Sequence, residues 1–250
     1  GDDYYSGPGR QTGAVLNGSR PFCASINCSA VMADGWAGIV TACVVVMRWN
    51  LLESGVNRMR VALDRKRALV TGGANGIGRA IVQALAENGA WVAVTDIAEE
   101  ALALTRLELE GAGYTCLCLR ADVTDYCQMS DVVAQIEQLW GGLDILVNNA
   151  GINTGGGRVV LHEYSPETWE KILRVDLDGV YHTSRAAIPV MLRGGGGRII
   201  NISSVAGLAP LRLQSAFVAA KAGVINLTRS MALEYGPQNI LVNAVAPGST

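Results

Sequence analysis

The run Thr71-Gly72-Gly73-Ala74-Asn75-Gly76-Ile77-Gly78 sets glycines at 72, 76 and 78 between an apolar, β-branched stretch and a helical pattern. Glycines so spaced permit a tight turn. They let backbone N–H groups and a helix N-terminus approach a pyrophosphate closely, with Asn75 and Ile77 in the same turn. Glycine runs also serve simply to pack a helix on a sheet, and it is the placement between strand and helix that favours the phosphate reading. Asp96 closes the next apolar run. A carboxylate there can accept hydrogen bonds from adenine ribose hydroxyls and repels a 2′-phosphate, which favours NAD(H) over NADP(H). Capping of the following helix is an equally good use of the same side chain.

Elements that could hold these residues in place follow from the alternation of short β-branched runs with longer amphipathic ones. Strands are expected at Ala68–Thr71, Trp91–Asp96, Thr115–Arg120, Ile145–Asn148, Arg198–Ser203 and Leu241–Ala246. Helices are expected at Ile77–Asn88, Glu99–Gly111, Tyr126–Trp140, Pro166–Leu192 and Ser215–Tyr235, each with apolar residues three and four apart. The fold class is α/β: a Rossmann-like, doubly wound parallel sheet flanked by helices. Right-handed crossovers collect the strand ends on one edge, where ligands gather.

Composition divides the chain into an N-terminal extension, residues 1–63, and a nucleotide-binding domain, residues 64–250. The extension reads as loop, apart from a strand expected at Val40–Met47. Cys23 and Cys28 lack a second Cys or His pair nearby, so no metal site is assigned. With 250 residues, 17% charged, and a formal net charge of −2, nothing favours a nucleic-acid surface. The uncharged runs Pro21–Ala33 and Gly35–Met47 are each too short to span a bilayer and are separated by Asp34. Six cysteines are too sparse for a disulfide framework. Reduced thiols and a cytoplasmic location are therefore expected.

From Asp64 to Thr250 the chain resembles the short-chain dehydrogenase/reductase family. Beyond the glycine turn and Asp96, Asp122-Val123 resembles its adenine-contacting pair and Asn148-Asn149-Ala150-Gly151 its cofactor-lining loop. Asn201-Ile202-Ser203-Ser204 resembles the strand end with the catalytic serine, Ser204, and Pro247-Gly248 the turn beside the nicotinamide. The resemblance implies hydride transfer between a nicotinamide and an alcohol or ketone. A tyrosine moves the proton, a lysine lowers its pKa, and a serine polarises the oxygen. Lys221 matches the lysine, which also belongs to the cofactor site. Phe217 stands at the tyrosine position, and Asp176 stands where the family has a helix asparagine that holds a relay water. Tyr164, Tyr181, His162 and His182 read as packing or solvated residues.

The resemblance further implies a small-molecule substrate and a homodimer or homotetramer packed through the two longest helices. It also implies a substrate-covering loop and a seventh strand after Pro247-Gly248, which this sequence does not show. Pairing of Val40–Met47 into that sheet edge, as in a circular permutation, is disfavoured. The echoes of a C-terminal segment in Thr12–Leu16 and Ala33–Trp36 are short and out of order. The expected function is oxidoreduction of a secondary alcohol or ketone, weakened by Phe217. The rival is a catalytically silent nucleotide-binding or regulatory protein, and a third reading is a fragment that folds poorly without its lid. Asp176 could pair with Lys221 or hold a proton near neutrality.

Overall fold

The computed structural model describes residues 61–153 and 158–248, together with the backbone of two upstream strands, β1 (Ile26–Ala30) and β2 (Thr41–Met47). Cys23 lies outside the described residues. The remaining strands are β3 (Arg67–Thr71), β4 (Trp91–Asp96), β5 (Cys116–Arg120), β6 (Ile145–Asn148), β7 (Gly197–Ile202) and β8 (Ile240–Pro247). The helices are α1 (Gly76–Glu87), α2 (Glu99–Gly111), α3 (Tyr126–Trp140), α4 (Pro166–Leu173), α5 (Gly179–Arg193) and α6 (Ser215–Tyr235). These match the expected elements to within a residue or two, with one exception. The expected single helix over Pro166–Leu192 is interrupted by a π-helical turn at Arg174–Asp178.

The sheet runs in the order β1-β2-β8-β7-β6-β3-β4-β5, parallel throughout except for β1, which pairs antiparallel with β2. Alternation within the strands sorts side chains to two apolar layers. Leu69, Ala93, Leu146 and Ile199 pack with Met129, Ile136 and Met191 on the α3–α5–α6 face. Ala68, Val70, Val92, Val94 and Val147 pack with Val82, Ala86, Leu102 and Leu109 on the α1–α2 face. Because both faces are covered, the central strands read as unbroken apolar runs.

Two expectations about the upstream segment need correction. Strand β1, in a stretch read as loop, and β2 both join the same sheet as the domain that follows. The disfavoured edge pairing is also the one adopted, with Val44 beside Ala244 and Met47 beside Pro247. The six strands from Arg67 onward are those expected, and β2 sits where the resemblance puts a seventh. The physical reason is the edge itself. An exposed parallel strand leaves a row of unpaired N–H and C=O groups, and the β-branched run Thr41–Met47 is able to satisfy them. No helix among the described residues is long and apolar enough to cross a membrane.

Pairing of β2 on both sides makes its backbone intolerant of proline. Val45→Pro removes a ladder donor and strands the acceptor opposite it, at a cost of about 1–3 kcal/mol. A fall in melting temperature of roughly 2–12 °C is expected by differential scanning calorimetry. An unchanged transition means that this edge contributes nothing to stability.

Candidate active site

The chain leaves β3 for one face of the sheet and β6 for the other, so a crevice opens between their carboxyl ends. Gly72, with φ of +60°, begins the turn. A Cβ at Gly78 would run into the Gly72 carbonyl, so α1 packs directly on the loop. Gly76 also has positive φ, at +52°, but a Cβ there would meet nothing within 4 Å. Asn75, Gly76 and Ile77 are exposed, and Asn75, at the N-cap of α1, makes no side-chain capping bond. An open concavity rimmed by first-turn N–H groups fits the pyrophosphate of a dinucleotide.

Across the crevice, the Asn149 side-chain amide donates to the carbonyls of Thr71 at 3.0 Å and Gly72 at 2.8 Å. The backbone N–H groups of Asn149 and Ala150 each donate to Thr71 Oγ1 at 3.1 Å. Thr71, not assigned to the site from the sequence, braces this loop; its place as the last residue of β3, directly before the glycines, was the available signal. Asp96 accepts from Ala98 N at 3.0 Å and from Ala74 N at 3.1 Å. It thus secures both the start of α2 and the glycine turn, the structural use weighed against ribose binding. Asp122 accepts from Thr124 N at 2.8 Å. Val123 turns its side chain into the core against Gly179.

A second group of residues gathers at the ends of β7 and β8. Ser204 caps a short 3₁₀ turn, Val205–Gly207, its Oγ accepting from Ala206 N at 3.1 Å. Its neighbour Ser203 donates from Oγ to the Lys221 carbonyl at 2.8 Å, tying β7 to α6. Lys221 is buried. Its Nζ lies 3.1 Å from Asp176 Oδ2, donates to the Ile202 carbonyl at 3.3 Å, and stands 5.6 Å from the centre of the Phe217 ring. Asp176, fully buried in the π turn, accepts from Ile152 N at 2.7 Å through Oδ1. Burial pushes its carboxyl above the usual range, and the Lys221 charge pulls partly against that shift. The geometry brings Asp176 into contact with Lys221, the pairing weighed from the sequence.

Phe217 is half-buried beside an apolar group that includes Ile172, Tyr164, Trp169 and Leu177. Behind it runs a buried polar chain. Asn148 Nδ2 donates to Asn201 Oδ1 at 2.8 Å and to Ser184 Oγ at 3.0 Å, and Asn201 Nδ2 donates to Thr228 Oγ1 at 2.9 Å. Pro247 ends β8 and Gly248 follows, both half-buried, with Pro247 beside Met47. His162 is exposed, and Tyr181 lies on the outward face of α5. Neither joins the site. A groove between α1 and α2, lined by Arg79, Thr105, Glu108 and Tyr114, holds none of the site residues. Among the described residues no group of His, Cys, Asp or Glu could hold a metal ion.

The chain is similar to known proteins in sequence and in fold. The sequence profile of the short chain dehydrogenase family matches residues 66–250. A cis-4-hydroxycyclohexanecarboxylate dehydrogenase of Sinomonas cyclohexanicum is 42% identical over 190 residues, covering 76% of this chain and 75% of its own. A D-beta-hydroxybutyrate dehydrogenase of Rhizobium meliloti (strain 1021) is 38% identical over 185 residues, covering 73% of this chain and 70% of its own. The crystal structure of a gluconate 5-dehydrogenase from Burkholderia cenocepacia J2315, in complex with NADP and tartrate, superposes with a TM-score of 0.70. That match has 34% identity and covers 76% of this chain and 72% of the other. The doubly wound sheet, the glycine turn on its crevice and these relatives lead to one conclusion: this chain belongs to the short-chain dehydrogenase/reductase family of oxidoreductases, which bind NAD(P).

Proposed function

We propose that the protein is an NAD(H)-binding oxidoreductase of a secondary alcohol or ketone, with turnover slowed by Phe217. The observation that carries this reading is the contact of Lys221 with Asp176 of the π turn and with the Phe217 ring, tied by Ser203 to the end of β7, where Ser204 follows. Gly72, Asn75, Gly76, Ile77 and Gly78 would cradle the pyrophosphate, with Asp96, Asp122 and Val123 towards the adenosine. Asn149, Ala150, Gly151, Lys221, Pro247 and Gly248 would line the nicotinamide half. A bound nicotinamide supplies or accepts the hydride. Ser204 Oγ already accepts from Ala206 N, so its own O–H is available to a substrate oxygen. The Phe217 ring excludes water and contributes no proton. The small-molecule dehydrogenases among the relatives support a hydroxyl-bearing substrate, and the free thiols Cys116, Cys118 and Cys127 support a cytoplasmic location.

A silent nucleotide-binding role is the second reading. It is favoured by the packing of Phe217 among apolar neighbours and by a Lys221 already neutralised by Asp176. Phe217→Tyr separates the two, because it returns a hydroxyl close to Lys221. Turnover of simple ketones with NADH is expected to rise roughly 100-fold. Normal NADH binding without any gain favours the silent role.

The carboxylate of Asp96 predicts tighter binding of NADH than of NADPH. A titration of nicotinamide fluorescence is expected to show the difference, and equal affinities overturn it.

Assembly follows from the outward face of α5, where Tyr181 is 49% and Leu192 41% exposed, and from Leu233 of α6 at 47%. Apolar exposure on both long helices suits burial against a second copy. The expected result in sedimentation velocity is a dimer or tetramer at micromolar concentration, and a monomer refutes it.

A further inference from the structure

We propose that the buried Asp176–Lys221 pair is the proton carrier of this site, with Lys221 as the donor to the substrate oxygen and Asp176 holding and resupplying the proton. The proposal rests on the oxidoreductase reading and adds the group that performs its acid–base step. Its first support is burial. Asp176 is 0% and Lys221 5% exposed. Removing two charges from water costs more than their attraction commonly returns, and apolar side chains of similar volume would hold α6 on the π turn as well or better. Stability is therefore a poor reason for the pair.

Backbone geometry supplies the second support. Asp176 is the buried residue of the π turn that breaks the helix between α4 and α5, and such turns concentrate at functional sites. Third, the two oxygens of Asp176 are unequal. Oδ1 is satisfied by the Ile152 N–H, whereas Oδ2 has no aligned hydrogen bond and faces Nζ at 3.1 Å. That oxygen is the place for a proton.

Access is the fourth support. Gly151 is exposed, and a Cβ on it would stand 3.2 Å from Nζ and 3.3 Å from Oδ2. Among the described residues, Gly151 stands between the pair and the crevice, and it carries no side chain. Lysine has three N–H donors; here one faces Asp176 and one the Ile202 carbonyl, which leaves one for a ligand.

In the reducing direction, the carbonyl carbon receives a hydride from a reduced nicotinamide and the π electrons of C=O move to oxygen. That oxygen forms an O–H bond as an N–H bond of Lys221 breaks, leaving a neutral amine. Asp176 returns a proton from Oδ2 to Nζ and is itself reprotonated from solvent, so one solvent proton is consumed per alcohol formed. Burial raises the Asp176 carboxyl, which favours the protonated form that this return requires. The charged group facing it is Lys221, from α6; the loop after β6 presents the Ile152 N–H, and Arg174 and Asp178 of its own turn are exposed.

The test is a four-chain comparison of the parent, Asp176→Asn, Phe217→Tyr and the double variant, with NADH and simple linear and cyclic ketones. With Phe217 present, Asp176→Asn is expected to lower kcat roughly 100-fold and to abolish a fall in kcat as pH rises through the Asp176 titration. In the Phe217→Tyr background, where the new phenol supplies the proton, the same change should alter kcat by less than about 3-fold. A loss of equal factor in both backgrounds overturns the proposal, because it marks Asp176 as a support for Lys221 only. Infrared spectra of the unliganded protein give a readout that does not depend on turnover. A protonated-carboxyl C=O band lost on raising the pH, and missing from Asp176→Asn, is expected. Its absence from the parent at every pH between about 4 and 8 also overturns the proposal. NADH binding with no turnover in any of the four chains overturns instead the oxidoreductase reading on which it rests.

Discussion

Asn149 holds open the crevice on which every other part of the site depends. Where β3 and β6 send their chains to opposite faces, the carbonyls at the exit of β3 lie beyond its last pair with β6, Val70 with Val147. A buried carbonyl without a partner costs about 1–3 kcal/mol. The side-chain amide of Asn149 serves two of them, Thr71 and Gly72, while Thr71 Oγ1 serves the N–H groups of Asn149 and Ala150. This reciprocal clamp fixes the glycine turn relative to the loop that carries Gly151 and Ile152. Through Ile152 it reaches the carboxylate of Asp176. The two halves of the site are therefore one hydrogen-bonded unit.

The same economy of partners explains the buried polar chain behind the site. Asn148, Ser184, Asn201 and Thr228 come from β6, α5, β7 and α6, and each link is a side-chain hydrogen bond in a dry interior. Such bonds are strong where water is excluded, and costly when one is lost. They set the registry of α5 and α6 against the sheet more sharply than apolar contacts could. Lys221 and Asp176 lie on those two helical runs, so their 3.1 Å separation is fixed by groups remote from either charge.

Local pattern carried the fold well and long-range pairing poorly. The central strands are apolar on both faces, and β4 and β6 fall where the sequence puts them because their ends are marked by Asp96 and the asparagines. Helices α2, α3 and α6 likewise keep their expected bounds; Asp125, which caps α3, and Gly141, which ends it in a left-handed conformation, are plain local signals. Nothing local states that β2 belongs beside a strand almost two hundred residues away, since partner choice in a parallel sheet is decided by which edge is open. The π turn was illegible for a different reason. Arg174–Asp178 continues the helical spacing of apolar residues, and one extra residue per turn alters the hydrogen bonds without breaking that pattern. In the site, the residue types at 176, 204, 217 and 221 were readable and the pairing of Asp176 with Lys221 was one of the states weighed, whereas the π turn that presents Asp176 was not.

Asp96 shows how a structural and a recognition role can share one side chain. Its oxygens each accept a single backbone N–H, from Ala98 and Ala74, whereas a carboxylate offers about four acceptor positions. Those two bonds orient it beside the glycine turn and leave capacity for ribose hydroxyls. Arg120 stands opposite Asp96 in β5, and a guanidinium is the group that a 2′-phosphate would seek. The balance can be weighed by magnitude. Two unit charges about 5 Å apart interact by about 3 kcal/mol at an effective dielectric of ~20, with either sign, and solvent exposure reduces both to roughly 0–1 kcal/mol, so the position in which each group is held decides between them. The proposed preference for NAD(H) rests on the carboxylate, which the glycine turn holds through Ala74 and which cannot swing aside without loosening that turn.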